Sequence, residues 1–108
     1  MKNIIIWGIG KRFNRYMRGG YFLSCNILAL VDTHKANEVH YGYTVIGPQK
    51  VLDIMKNCDA VVITSTSYIE IYKQCLRLNI PKEKIVIPDY IETDYFVFNI
   101  EIVKQISE

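Results

Sequence analysis

A doubly wound parallel α/β sheet is the fold this sequence predicts, and three observations predict it. Short apolar runs, Asn3 to Trp7, Ile27 to Val31, Asp59 to Thr64 and Ile85 to Ile87, alternate with segments of helical periodicity. The runs are apolar on successive residues through their centres, as in strands covered on both faces. The first run turns through Gly8 and Gly10 into a helix, and the second ends at Asp32.

Strand one covers Asn3 to Trp7. The helix after it, Lys11 to about Arg18, carries Phe13, Tyr16 and Met17 on one side, with its four cations largely away from them. Gly19-Gly20 stops it. Strand two is Ile27 to Val31, and the polar stretch Thr33 to Gly42 reads as a surface loop. Tyr43 to Ile46 is a short third strand closed by Gly47-Pro48. Proline at a helix start favours a helix over Pro48 to Lys56, burying Val51, Leu52 and Met55.

Asp59 to Thr64 is strand four. Ser67 is placed to cap a helix through about Leu78, with Glu70 three residues on and Ile71, Cys75 and Leu78 inward. Pro81 to Lys84 is a turn, and Ile85 to Ile87 is strand five, ended by Pro88. The tail has strand-like content at Tyr95 to Phe98, but Phe96, Ile100 and Val103 also fit a helix face. A helix from about Asp94 to Gln105 is favoured. Right-handed crossovers then give about five strands in the order 3-2-1-4-5. One domain spans residues 1–108. The apolar tail, 94–108, exceeds what one helix face buries and is expected to meet a second copy or a partner domain.

At 108 residues with a formal charge of +2, the chain is too mildly basic to argue for nucleic acid, which is expected not to be a partner. No apolar run reaches 18 residues, so no membrane span is expected. The start lacks a signal-peptide pattern, which makes the cytoplasm the expected compartment. Cys25, Cys58 and Cys75 are an odd number without CxxC spacing, and read as small buried hydrophobes. His34 and His40 match no metal motif and read as solvated loop residues. No metal site is expected.

The glycine turn and its acid carry the chemistry. Gly8 and Gly10 occupy the first two positions of G-x-G-x-x-G, where the backbone must tighten and approach a pyrophosphate. Phe13 takes the third, which implies a wider spacing of helix and sheet. Asp32 lies 22 residues beyond Gly10, where a carboxylate accepts ribose hydroxyls and repels a 2′-phosphate. It has a second role open to it, capping the loop Thr33-His34-Lys35. Lys11 and Arg12 oppose the helix dipole unless an anion binds there, although both can also extend into solvent. Thr64 and Ser65 lie at the same edge, suited to a ribose or phosphate, or equally to satisfying backbone groups. Gly8, Ile9, Gly10, Lys11, Arg12, Asp32, Thr33, Thr64 and Ser65 are therefore the candidate contacts for NAD or another adenine nucleotide.

No catalytic residue is expected. None of the eight tyrosines has a lysine four residues on, and no Ser-His-Asp arrangement, acid pair or Walker loop occurs. The succession Ile4-Ile5-Ile6-Trp7-Gly8-Ile9-Gly10, Leu30-Val31-Asp32, Gly42 to Leu52, Asp59 to Ser65 and Leu78 to Pro88 resembles a known family. It is similar to the small Rossmann-like module of bacterial polysaccharide biosynthesis proteins, over about residues 2–90. That module is in turn similar to the N-terminal NAD-binding-like region of capsular-polysaccharide nucleotide-sugar dehydratases and epimerases, and related modules accompany glycosyltransferases and FkbM-like methyltransferases.

The resemblance implies nucleotide contacts at Gly8, Gly10 and Asp32, a return segment at Gly42 to Pro48, and chemistry done by a separate catalytic domain. The expected function is a non-catalytic module binding an NAD-like nucleotide or a nucleotide sugar, in surface-polysaccharide synthesis. The alternatives are a ligand-free interaction or oligomerisation module and a fragment of a larger epimerase, dehydratase, glycosyltransferase or methyltransferase.

Overall fold

The computed structural model describes residues 1–88, so the expected helix at 94–105 and its interface lie outside the described residues. One sheet has the order β3-β4-β2-β1-β5-β6. Its strands are β1 (Lys2–Trp7), β2 (Cys25–Val31), β3 (Val39–His40), β4 (Tyr43–Ile46), β5 (Ala60–Ile63) and β6 (Ile85–Val86). Helix α1 (Lys11–Arg18) links β1 to β2, and α2 (Tyr68–Arg77) follows β5. A 3-10 helix (Pro48–Asn57) links β4 to β5, and a 3-10 turn (Lys82–Lys84) precedes β6. The five parallel strands run in the expected order.

The sixth strand is the addition. Val39 and His40 leave the expected surface loop to pair antiparallel with Thr44 and Tyr43. The two residues between them, Tyr41 (φ 53°) and Gly42 (φ 84°), both take positive φ, the requirement of a two-residue hairpin whose twist suits its strands. Tyrosine is an uncommon choice for the first of these positions. Its ring is anchored edge-on against Phe13 at 5.6 Å, and its hydroxyl donates to Asn14 Oδ1 at 3.3 Å.

Strand alternation sends β1 to both faces. Ile4 and Ile6 join Leu30, Val45 and Val62 under α1, where Phe13 and Tyr16 close that face. Ile5 and Trp7 join Val31 and Ile63 on the opposite face, beneath Met55 of the 3-10 helix and Tyr72 of α2. The sheet is thus wound on both sides, which is why its central strands are apolar throughout.

Two expectations about helices change. The segment after Pro48 is helical but winds with three residues per turn, so Leu52 sits a third of a turn from buried Val51 and is half exposed. Ser67 precedes α2 without a side-chain cap, because its φ of −84° and ψ of 37° leave the extended geometry that aims a capping oxygen. At the other end of α1, the amides of Gly20 and Tyr21 bond to the carbonyls of Met17 and Tyr16, and the Tyr16 and Tyr21 rings meet at 5.2 Å. This closing motif explains why the helix stops at the glycine pair.

All three cysteines are free. Burial pushes the Cys58 thiol up, and its Sγ donates to the Ala60 carbonyl at 3.1 Å. Burial raises Cys75 to about 12. Both remain protonated near neutral pH, as fits core residues and not nucleophiles.

The Tyr72 hydroxyl is buried without a hydrogen-bond partner among the described residues. Tyr72→Phe is expected to stabilise the fold by about 1 kcal/mol, read as a rise of about 4 °C in thermal midpoint. Phe13→Ala is expected to destabilise it by about 3–5 kcal/mol in denaturant unfolding, because that ring is fully buried between α1 and the sheet.

Candidate functional site

The turn from β1 into α1 is clamped by strands on either side. Gly8 donates its amide to Val31 O at 2.9 Å and accepts the Thr64 hydroxyl on its carbonyl at 2.6 Å. The Thr64 amide also donates to Trp7 O at 2.9 Å. Gly8 has φ of +109°, and a Cβ there would lie 2.9 Å from Ser65 Cβ. Both the backbone and the packing demand glycine at this position.

Gly10 is different. Its φ of −138° is open to any residue, and a Cβ there would meet nothing within 4 Å among the described residues. It is the N-cap of α1, its carbonyl accepting the Asn14 amide at 3.0 Å, and no side chain caps the helix. The first turn has no acid and begins with Lys11 and Arg12. An open glycine at an uncapped, cation-bearing helix start is a cradle that suits an anionic group such as a pyrophosphate.

Asp32 realises the loop-holding role. Its Oδ2 accepts the Ile9 amide at 3.0 Å and its Oδ1 the His34 amide at 2.9 Å. The Lys35 ammonium donates to Ile9 O at 2.5 Å. Both backbone polar groups of Ile9 are therefore held by the loop after β2, and its amide points to Asp32. Each carboxylate oxygen keeps a further lone pair for a hydroxyl.

These residues surround one pocket of about 510 Å³ at the carboxyl edge of the sheet. Its walls follow the strand order. Asp32, Thr33 and His34 stand on the β2 side, and Gly8 to Arg12 lie in the middle above Trp7. Thr64 to Ser67 and the α2 residues Glu70, Ile71 and Gln74 form the β5 side. All nine candidate contacts line it.

Thr64 and Ser65 also satisfy backbone groups. The Thr64 hydroxyl is committed to Gly8 O, and Ser65 Oγ accepts the Ser67 amide at 3.0 Å. Sequence reasoning missed Lys35 and the α2 wall. The wall follows from helical spacing, which puts Glu70 and Gln74 on one face, but only a fold shows that this face borders the glycine turn.

His34 is exposed at the pocket rim, as expected. His40 is not a solvated loop residue: it stands in β3, half buried, with Nε2 2.9 Å from Glu38 Oε1 and its ring edge-on to Phe13 at 6.4 Å. No group of three or more metal-binding side chains occurs among the described residues.

This arrangement defines a Rossmann-like α/β domain with a pocket at the switch between β1, β2 and β5. The chain belongs to the C2185-like family, whose N-terminal domain matches residues 1–86. No curated protein sequence matches it. Among solved structures it is similar to UDP-D-quinovosamine 4-dehydrogenase from Vibrio fischeri, at 18% identity and a TM-score of 0.57, over 81% of this chain and 75% of that one. It is also similar to RSP, a Rex-family repressor, at 17% identity and a TM-score of 0.62, over 99% of this chain and 56% of that one. A second RSP structure, in complex with β-NAD+ and operator DNA, matches at 17% identity and a TM-score of 0.59, over 99% of this chain and 54% of that one. The chain spans about half the length of RSP. At these identities the likeness shows the fold.

The exclusion of nucleic acid as a partner is withdrawn. It rested on a mild net charge, and a protein of this fold is crystallised with operator DNA. The family description carries no link to polysaccharide synthesis. No described helix is long and apolar enough to cross a membrane.

The two glycines are expected to behave oppositely when replaced. Gly8→Ala should lower stability by more than about 1 kcal/mol, whereas Gly10→Ala should change it by less than that, as read by urea unfolding.

Proposed function

We propose that this chain is a nucleotide-binding module that takes NAD, or another adenine nucleotide, along the carboxyl edge of its sheet. The observation that carries this reading is Gly10. Neither its backbone angles nor its neighbours require glycine, yet its missing side chain leaves space over the uncapped start of α1. A diphosphate fits there, with Lys11 and Arg12 beside it to offset its charge. Asp32 then offers its remaining lone pairs to the adenosine ribose, with Thr33 next to it, and Thr64 and Ser65 hold the opposite wall. The fold of RSP, which has been crystallised with β-NAD+, supports the same reading. The module is proposed to bind without breaking bonds.

A nucleotide sugar is the second reading, favoured by the likeness to an enzyme named for UDP-D-quinovosamine. A setting in surface-polysaccharide synthesis belongs to that reading and rests on the sequence resemblance. A cytoplasmic location suits a chain with three free cysteines.

Trp7 lines the pocket and is the single tryptophan, so its fluorescence reports on the site. NAD+ is expected to quench or shift that emission and to raise the thermal midpoint, since a ligand at about 100 times its Kd adds about 2.7 kcal/mol. NADP+ should bind more weakly because its 2′-phosphate meets Asp32. Gly10→Val should abolish binding in a protein that still folds. No response to NAD+, with a response to UDP-glucose, would replace the first reading by the second, and no response to either would overturn both.

A further inference from the structure

We infer that Glu70 makes the pocket selective for the oxidised, cationic form of a nicotinamide dinucleotide over the reduced form. This inference rests on the nucleotide reading above and extends it to the far end of the ligand.

The order of charges along the pocket carries the inference. The strands run β2-β1-β5, so the walls meet a bound molecule in that sequence. Asp32 stands at the β2 end, Lys11 and Arg12 stand at the β1 turn, and Glu70 stands on α2 beyond β5. The pocket is thus acid, then paired cations, then acid. Its complement is a molecule with hydroxyls at one end, a doubly negative centre and a positive group at the other end. NAD+ has that order: ribose hydroxyls, a diphosphate and a pyridinium ring. NADH keeps the first two and loses the positive charge, because hydride addition makes its ring neutral.

Glu70 is exposed and makes no ion pair among the described residues. Gln74, one turn further on the same face of α2, also lines the pocket. Its amide has both a donor and an acceptor, which suits a carboxamide in either redox state and so does not discriminate. Discrimination therefore falls to the Glu70 carboxylate. At an exposed site such a charge pair changes affinity by roughly two- to fivefold.

The test compares dissociation constants of NAD+, NADH and ADP-ribose, which lacks the nicotinamide, for the full chain and for Glu70→Gln. The native chain is expected to bind NAD+ about two- to fivefold more tightly than NADH. In Glu70→Gln the two should converge while ADP-ribose binding is unchanged. The native preference should also shrink as salt rises from 0.05 to about 0.5 M, a measurement that needs no variant. Equal binding of NAD+ and NADH by the native chain, or a preference that survives both Glu70→Gln and high salt, would overturn the inference and leave the nucleotide reading standing. If none of the three ligands binds, both fall together.

Discussion

The peptide from Gly8 to Gly10 is held on both flanks, and the rest of the carboxyl edge depends on that restraint. Gly8 adopts a left-handed angle that side-chain-bearing residues rarely take, and the neighbouring strands supply bonds that keep it there. From β5, Thr64 reaches the Gly8 carbonyl. From the loop after β2, Asp32 holds the Ile9 amide and Lys35 holds the Ile9 carbonyl. Short polar contacts around a buried turn are strong because little water competes for them. They orient the first turn of α1, leaving its amides uncapped toward a pocket shaped before any ligand arrives. Binding to such a preformed surface loses little to ordering.

The same restraint explains how the domain tolerates Phe13 where a third glycine would let helix and sheet approach closely. With the turn fixed by hydrogen bonds, α1 does not need backbone contact with the sheet to hold its position. The ring fills the gap, and it also supports the hairpin through Tyr41 and His40. One substitution in the glycine pattern is therefore linked to an added edge strand. The helix is held over the sheet by aromatic packing, and the hairpin turn, unusual in having tyrosine at a positive φ, gains a ring to lean on.

Charge then divides the edge into regions. Asp32 serves the fold with two of its acceptor positions and keeps others for a ligand, so the choice between a structural and a binding role does not arise for it. Lys11 and Arg12 stand unfavourably for the helix alone, and a bound diphosphate would offset that cost. Glu70 stands favourably at the start of α2 and also faces the pocket. The domain shares its fold with proteins of unlike activity, so these side chains, and not the topology, define what it would bind.

Much of the architecture was legible in the chain itself. Unbroken apolarity in Ile4 to Trp7 and Ala60 to Ile63 marks buried parallel strands, and Gly19-Gly20 marks the end of α1, because these signals depend on local geometry and two-sided burial. The positions of the candidate contacts at one edge followed from alternating strands and right-handed crossovers. Other features were not legible. The hairpin at Tyr41-Gly42 forms because Phe13, distant in sequence, supports a strained tyrosine. Leu52 turns outward because the segment after Pro48 winds as a 3-10 helix. Glu70 became a pocket residue, and Lys35 a support of the glycine turn, only when β5 and β2 were placed on either side of β1. The sequence by itself determined the five parallel strands, their order and the glycine turn, since periodicity and backbone freedom are properties of neighbouring residues. The tertiary structure alone decided which charges share a pocket and that a side chain at Gly10, unlike one at Gly8, would meet none of the described residues, because those depend on distances between segments far apart in the chain.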